Sequence, residues 1–392
     1  MKSTQTKNEK LANDRSMEFI SVNTPLLDGN EKDYLIKCIE SGWISSDGPF
    51  VKEFEQRMAK LVNRRFGVAV SSGTAALEIA VRALNLKQGQ EVVLPTFTII
   101  SCASAILRSG CRPVLVDCDP QTWNMDVENL EKKITEHTAA IMAVHIYGLP
   151  TNMAKVQKIA EKHDLRVIED AAEMHGQTYN GAPCGSFGDV SVFSFYANKH
   201  VTTGEGGMVL TNDESIAKKS QSLRNLCFQA EKRFFHEELG YNFRMTNLQA
   251  AVGVAQVERL EEFVKKKRKM GKLYTELLRN VPDIQLPLET SPEAENIYWV
   301  YGIVLGDSIK AEAIDIMKLL EKRGIGTRPF FWPIHEQPVF RKMGIFEGER
   351  YPVAERLARR GFYLPSGLAL EKGQIQRAAT SLKDILLFLR KQ

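Results

Sequence analysis

The chain predicts an α/β fold: a mostly parallel seven-stranded sheet sandwiched by helices, followed by a smaller C-terminal α+β domain. Three observations predict it. Between residues 67 and 211, seven short apolar runs alternate with helical patterns, the habit of parallel strands joined by crossover helices. The segment 280–296, with its prolines and acids, interrupts that alternation. Beyond it comes a different pattern, one β-type run followed by helices and a single short β element.

In order, residues 1–16 read as a frayed polar tail. Residues 29–41 carry an amphipathic helical pattern, Trp43-Ile44-Ser45-Ser46-Asp47-Gly48 breaks it, and 49–62 form a second helix. Gly67 to Ser71 reads as a strand, Thr74 to Leu84 as a helix, Glu91 to Leu94 as a strand and Ile99 to Ser109 as a helix. The remaining strands are Pro113 to Asp117, Ala140 to His145, Arg166 to Asp170, Val190 to Phe195 and Gly207 to Thr211. A long helical region runs from about Asn247 to Arg279. After the linker, Tyr298 to Leu305 reads as a strand and Lys310 to Arg323 as a helix. A short β element precedes Arg328, and helix 373–390 closes the chain. The expected division is a tail at 1–16, a large domain at 17–280 and a small one at 281–392.

Composition excludes several classes of function. At 392 residues, with 43% hydrophobic and 26% charged residues, the chain matches an ordinary soluble globular protein with a large core. A net charge of +4 is small for this length and does not argue for nucleic acid. The run Lys265 to Lys269 lies beside Glu261 and Glu262 and reads as a solvated helix face. No apolar run is long enough to span a bilayer, and the polar start lacks a signal-peptide apolar region, so a cytoplasmic protein is expected. The six cysteines are scattered without a C-x-x-C pair and read as buried free thiols. His145, His175 and His335 lack metal-ligand spacing.

The chemistry centres on Arg166 to Leu210. Its first strand ends in Glu169 and Asp170; its second delivers Lys199 just past its end, beside the loop Thr202-Thr203-Gly204-Glu205-Gly206-Gly207. A carboxylate and an amine beyond neighbouring strand ends face one crevice of an open α/β sheet. That layout suits a Schiff-base cofactor, with the amine for its aldehyde and the carboxylate for a pyridinium nitrogen. A strand-end acid and a surface lysine, in a chain of 48 acids and 52 bases, is the bland alternative. Ser71-Ser72-Gly73-Thr74 runs from a strand into a helix whose free N–H groups can hold a phosphate, or it is a plain N-capped turn. Gly240 to Asn247 places Asn242 and Arg244 among aromatics, either to reach an anion or merely to start a helix.

SSGTAAL, VIEDAAE, FSFYANK followed by TTGEGGM, and GYNFRMTN resemble, in order and spacing, the DegT/StrS-type fold-type-I pyridoxal-phosphate aminotransferases. That family acts on nucleotide-linked keto sugars, and the resemblance runs from about Ser21 to the C-terminus. WISSDG, DPQTWNMD, TTGEGGM and RPFFWPIH are similar to its perosamine-synthase subgroup. The resemblance implies that Lys199 anchors pyridoxal 5'-phosphate and that Asp170 partners the ring nitrogen. Gly73, Thr74 and Ser194 would hold the phosphate, helped by Asn242 of a neighbouring subunit, and Ala75 would also be at the cofactor. Glu173 matches the position near the phenolic oxygen. The family works as homodimers or dimers of dimers. Its relatives place an aromatic at the position of Ile99; here Phe97 is the nearby ring, and it is expected at the cofactor. Trp43, Ser45, Arg244, Arg328 and His335 are the expected substrate contacts, although Arg328 fits a structural role as well.

The expected reaction passes an amino group from glutamate to the 4-keto carbon of a nucleotide-linked 4-keto-6-deoxy sugar. A related sugar dehydratase is the first rival, but that chemistry replaces the lysine by histidine, and here Lys199 is present with His200 beside it. A non-catalytic regulator on the same fold is the second; intact Asp170 and Lys199 argue against it.

Overall fold

Period-2 alternation decides which face each strand residue takes, and in this chain both faces are apolar. The computed structural model describes residues 18–229 and 231–390, so the expected tail at 1–16 lies outside the described residues. Its strands are β1 (Phe66–Val70), β2 (Glu91–Pro95), β3 (Arg112–Val116), β4 (Thr138–Val144), β5 (Arg166–Asp170), β6 (Thr178–Tyr179), β7 (Ala182–Pro183), β8 (Val190–Ser194), β9 (Gly207–Thr211), β10 (Ile284–Gln285), β11 (Tyr301–Leu305), β12 (Arg328–Pro329) and β13 (Gly361–Leu364). Val68, Val70, Val92, Leu94, Ala140 and Met142 join one buried cluster. The residues between them, Ala69, Val93 and Ile141, join another on the opposite face. Helices cover both: Gly73–Ala83 packs into the first cluster and Met153–Lys162 into the second. A sheet covered on both sides needs apolar residues on both faces, which is why its strands read as near-continuous runs.

The seven strands stand in the order β1-β9-β8-β5-β4-β2-β3. β9 is antiparallel to both neighbours, and the other pairs are parallel. All seven expected strands form, Arg166–Asp170 and Gly207–Thr211 with the expected ends and the others with ends shifted by at most two residues.

Toward the C-terminus the expectations need correction. The region Asn247 to Arg279 is two helices, Asn247–Glu258 and Leu260–Leu278, parted at Arg259, whose guanidinium is held by Asp28 and Glu262. The second starts in the same core as the first, with Leu260 and Val264, and then leaves it. Ala250 and Val254 join a cluster against the large sheet, whereas Met270, Tyr274 and Leu278 join a third cluster beside the small one. The strand expected from Tyr298 begins at Tyr301, because Tyr298 has a left-handed backbone (φ 50°). The short β element expected before Arg328 starts at Arg328 itself. β10 lies inside the expected linker, and β13 was not foreseen. Together they complete an antiparallel sheet in the order β10-β11-β13-β12. Ile20 hydrogen-bonds to Gly324 and Gly326 and packs in the third cluster. Among the described residues, no helix is long and apolar enough to cross a membrane. All six cysteines are buried and free.

Candidate active site

β5 and β8 are adjacent and parallel, so their downstream ends open on the same edge of the sheet. Asp170 is the last residue of β5, and Lys199 follows β8 by five positions. Both line a cavity of about 360 Å³ together with Gly73, Thr74, Glu173 and Ser194. The helix Gly73–Ala83 starts at its wall. Ser72 caps that helix by accepting the Ala75 N–H, which leaves the first-turn N–H end of Gly73 and Thr74 at the cavity. The helix start and β8 approach closely: a Cβ on Gly73 would lie 2.8 Å from Cβ of Ser194 and 3.0 Å from its Oγ. Thr74 Oγ1 and Ser101 Oγ share a hydrogen bond of 2.8 Å. A small, hydroxyl-rich cradle at a helix N-terminus is the result.

Asp170 is buried, and burial pushes its carboxyl above the ordinary range. The Ala172 N–H (3.1 Å) and the Cys102 thiol (3.3 Å) donate to it and oppose that rise. Burial raises the Cys102 thiol well above its usual value, so it stays protonated and donates. The Lys199 side chain is 9% exposed, and desolvation lowers its pKa against the pull of Glu173 and Asp170. Its Nζ lies 3.5 Å from Glu173 Oε1 and 3.6 Å from the centroid of the Trp299 ring. Glu173 accepts the Tyr147 N–H at 2.7 Å, and burial pushes it up to about 7.

Other expected residues lie elsewhere. Ala75 is inside the helix, buried, with its N–H taken by Ser72. Phe97 does not line the cavity. It packs edge-on against Tyr147 and Phe331 and beside Phe330, at centroid distances of 6.0, 5.8 and 5.9 Å. Ile99, 44% exposed, lines the cavity instead. His335 was expected at the substrate. It is buried outside the lining, with Nδ1 bonded to Thr96 Oγ1 (2.9 Å) and Nε2 to Glu355 (3.3 Å), which suits bracing rather than binding. Arg328 is exposed on β12, opposite the lining residue Tyr363. Asn242 and Arg244 lie outside the lining, joined by an Arg244 Nε to Asn242 Oδ1 bond of 2.9 Å; Arg244 also donates to Asn225. Arg244 borders a separate cavity of about 200 Å³ with Ser46, Asp47 and Arg224. Trp43 is half exposed, and the Trp43 and Ser45 carbonyls accept from Asn247.

Sequence reading missed four lining residues or supports: Trp299, Phe331 and Tyr363 from the C-terminal segment, and Cys102 behind Asp170. Phe331 lies inside RPFFWPIH but was not singled out there, and no local pattern marks the other three, since each meets the site only through the tertiary fold. His145 also lines the cavity; its Nε2 bonds Glu169 (3.0 Å) and its Nδ1 accepts the Thr151 N–H (3.1 Å).

The residues present fit pyridoxal phosphate. They offer a largely buried amine for its aldehyde, a buried carboxylate for its ring nitrogen, and a helix start with hydroxyls at Thr74 and Ser194 for its phosphate. Fold and site together define a pyridoxal-phosphate-dependent aminotransferase. The model of the DegT/DnrJ/EryC1/StrS aminotransferase family matches residues 25–383, and the chain belongs to that family. It is 37% identical to a GDP-perosamine synthase of Escherichia coli O157:H7, over 94% of this chain and 99% of that one. A GDP-perosamine synthase of Vibrio cholerae is 38% identical, over 93% and 99%. Among solved structures, DesI in the presence of its TDP-sugar product is similar at TM-score 0.86 and 29% identity, covering 95% of this chain and 94% of that one.

Proposed function

We propose that this enzyme moves the amino group of glutamate to the 4-keto carbon of a nucleotide-linked 4-keto-6-deoxy sugar, as a perosamine synthase does. The observation that carries the chemistry is Lys199 and Asp170 at adjacent parallel strand ends in one buried cavity. The sugar class rests on likeness to two GDP-perosamine synthases over almost the whole chain.

Pyridoxal phosphate, when bound, supplies an aldehyde to carry the amino group and a protonated ring to withdraw electrons from the reacting carbon. Lys199 anchors it and, once released, moves the proton at that carbon; its lowered pKa favours the neutral amine that this task needs. Asp170 keeps the ring nitrogen protonated, its orientation fixed by Ala172 and Cys102. Glu173, pushed up to about 7, holds a proton near the phenolic oxygen through much of the neutral range. Gly73, Thr74 and Ser194 hold the phosphate. Arg328 at the rim and Trp43, Ser45 and Arg244 elsewhere are the proposed contacts to substrate, Arg pairing well with a carboxylate or a diphosphate.

Asn242 and Arg244 lie outside the cavity, and we assign them to the site of a second copy in a homodimer, or a dimer of dimers. Phe234 and Leu239, both over 80% exposed, and half-exposed Trp43 and Ile44 are apolar residues that such a contact would cover. Sedimentation of the active protein as a monomer would overturn this. The large and small units divide near residue 280. Free thiols throughout suit a reducing cytoplasm.

The test is a panel of nucleotide-linked keto sugars offered with ¹⁵N-glutamate. The 4-keto-6-deoxy members should gain ¹⁵N at C4 while 2-oxoglutarate forms in equal amount. Label at another carbon, or none with any member, would contradict the reading.

A further inference from the structure

Trp299 has no role in the account so far, yet it touches the reacting amine. Its ring centroid lies 3.6 Å from Lys199 Nζ, and its indole N–H donates to the carbonyl of Asn198 at 2.9 Å, one residue before that lysine. The backbone carbonyl of Trp299 in turn accepts Lys267 Nζ at 2.8 Å, and Lys267, fully buried, also donates to Ser366 O. The indole is therefore fixed from both sides, main chain and ring.

We propose that Trp299 is a positioning residue for Lys199, its indole face receiving the ammonium and its N–H locking the backbone that carries it. The amine must leave the cofactor and return in every cycle, so it needs a defined place to wait in the cavity wall. Glu173, at 3.5 Å, is the nearest carboxylate, and Asp170 lies further off. Neither encloses the amine. A ring face adds attraction for the charged form without competing for a proton, and it matters most in a desolvated site.

The groups facing this amine have opposing effects. Glu173 and Asp170 favour its charge and burial opposes it; Lys267 is itself held down to about 7, by burial first and then by Lys199. His175 and His200, both kept neutral by burial, lie behind β8 and after Lys199. Tyr147 and Tyr363, their phenols raised by burial, stay neutral around Glu173. Loss of the ring face therefore lowers the pKa of Lys199. Simple loosening that admits water would move it the other way, back toward the ordinary value. The sign separates positioning from scaffolding.

The inference rests on Lys199 as the working amine but is tested without the cofactor. Apoprotein is labelled with a trace amine-acylating reagent across pH 6–11, and the Lys199 peptide is quantified by mass spectrometry against exposed Lys318. Trp299→Leu should shift the Lys199 curve acidward by about one pH unit, a roughly tenfold change in reactivity at fixed pH below the transition. Trp299→Phe, which keeps a ring face, should shift it by less than half as much. An unchanged or alkaline-shifted curve in a folded Trp299→Leu protein overturns the proposal, as do equal shifts in both variants. If Trp299→Leu does not fold, Trp299→Met, which also removes the ring face, takes its place under the same criteria. The reading of Lys199 as cofactor anchor fails separately, if Lys199 is not the lysine that carries the cofactor in the holoenzyme.

Discussion

Burying a carboxylate costs free energy unless donors meet it, and Asp170 is met by two, the Ala172 N–H and the Cys102 thiol. Its identity was legible in VIEDAAE, and so was Lys199 in FSFYANK. What holds them was not. Cys102 looked like one scattered thiol among six, and only the packing of helix Ile100–Arg108 against helix Gly73–Ala83, β2 and β3 sets its thiol beside the acid. Asp170→Asn keeps the shape and removes the charge. The variant should stay folded while the half-reaction with glutamate slows about a hundredfold, roughly 3 kcal/mol of lost stabilisation in the reacting state. Single-turnover kinetics on cofactor-saturated protein measure this directly. Near-normal turnover would remove Asp170 from the mechanism.

At the scale of elements, strand ends and one helix start make the site. Seven apolar runs sufficed to read the large sheet because both of its faces are covered, so apolar residues fill most strand positions and the polar ones fall mainly at strand ends. The small sheet was harder. β10 and β12 are two residues each, too short for any periodicity, and β13 directly follows the helix Pro352–Arg360. Tertiary pairing alone makes them strands. The break at Arg259 had no proline or glycine to announce it; past it the second helix starts in the large-sheet core with Leu260 and Val264 and then carries Met270, Tyr274 and Leu278 to the small sheet. The phosphate cradle is the element most open to test. Gly73→Ala would push a methyl group to 2.8 Å from Ser194 Cβ, so the helix start and β8 must separate. Loss of one hydrogen bond to a charged phosphate costs about 1.5–3 kcal/mol, so the dissociation constant for pyridoxal phosphate should rise tenfold or more. Gly373→Ala, at a glycine with open space around it, is the control and should bind normally. Equal affinities for both variants would put the phosphate elsewhere.

On the scale of the whole molecule, the cavity is a junction. The large sheet brings Asp170, Glu173, Ser194 and Lys199, and segments from beyond residue 290 bring Trp299, Phe331 and Tyr363. Motif reading found the first group because each residue sits beside glycines or a strand end with its own signature. It missed the second because an aromatic beside or within a short C-terminal strand looks like core until the chain folds back over the sheet. His335 shows the reverse error: RPFFWPIH looked like a binding motif, and its histidine is a brace between Thr96 and Glu355. The central claim is that Lys199, out of all the lysines in the chain, carries the cofactor. Reducing the holoenzyme with borohydride fixes pyridoxal phosphate to the amine that holds it, and peptide mapping then finds that amine. The account predicts the added mass on the peptide containing Lys199, and neither added mass nor visible absorbance in a folded Lys199→Ala protein. Label on a different lysine, or an unchanged absorbance band in Lys199→Ala, would contradict it.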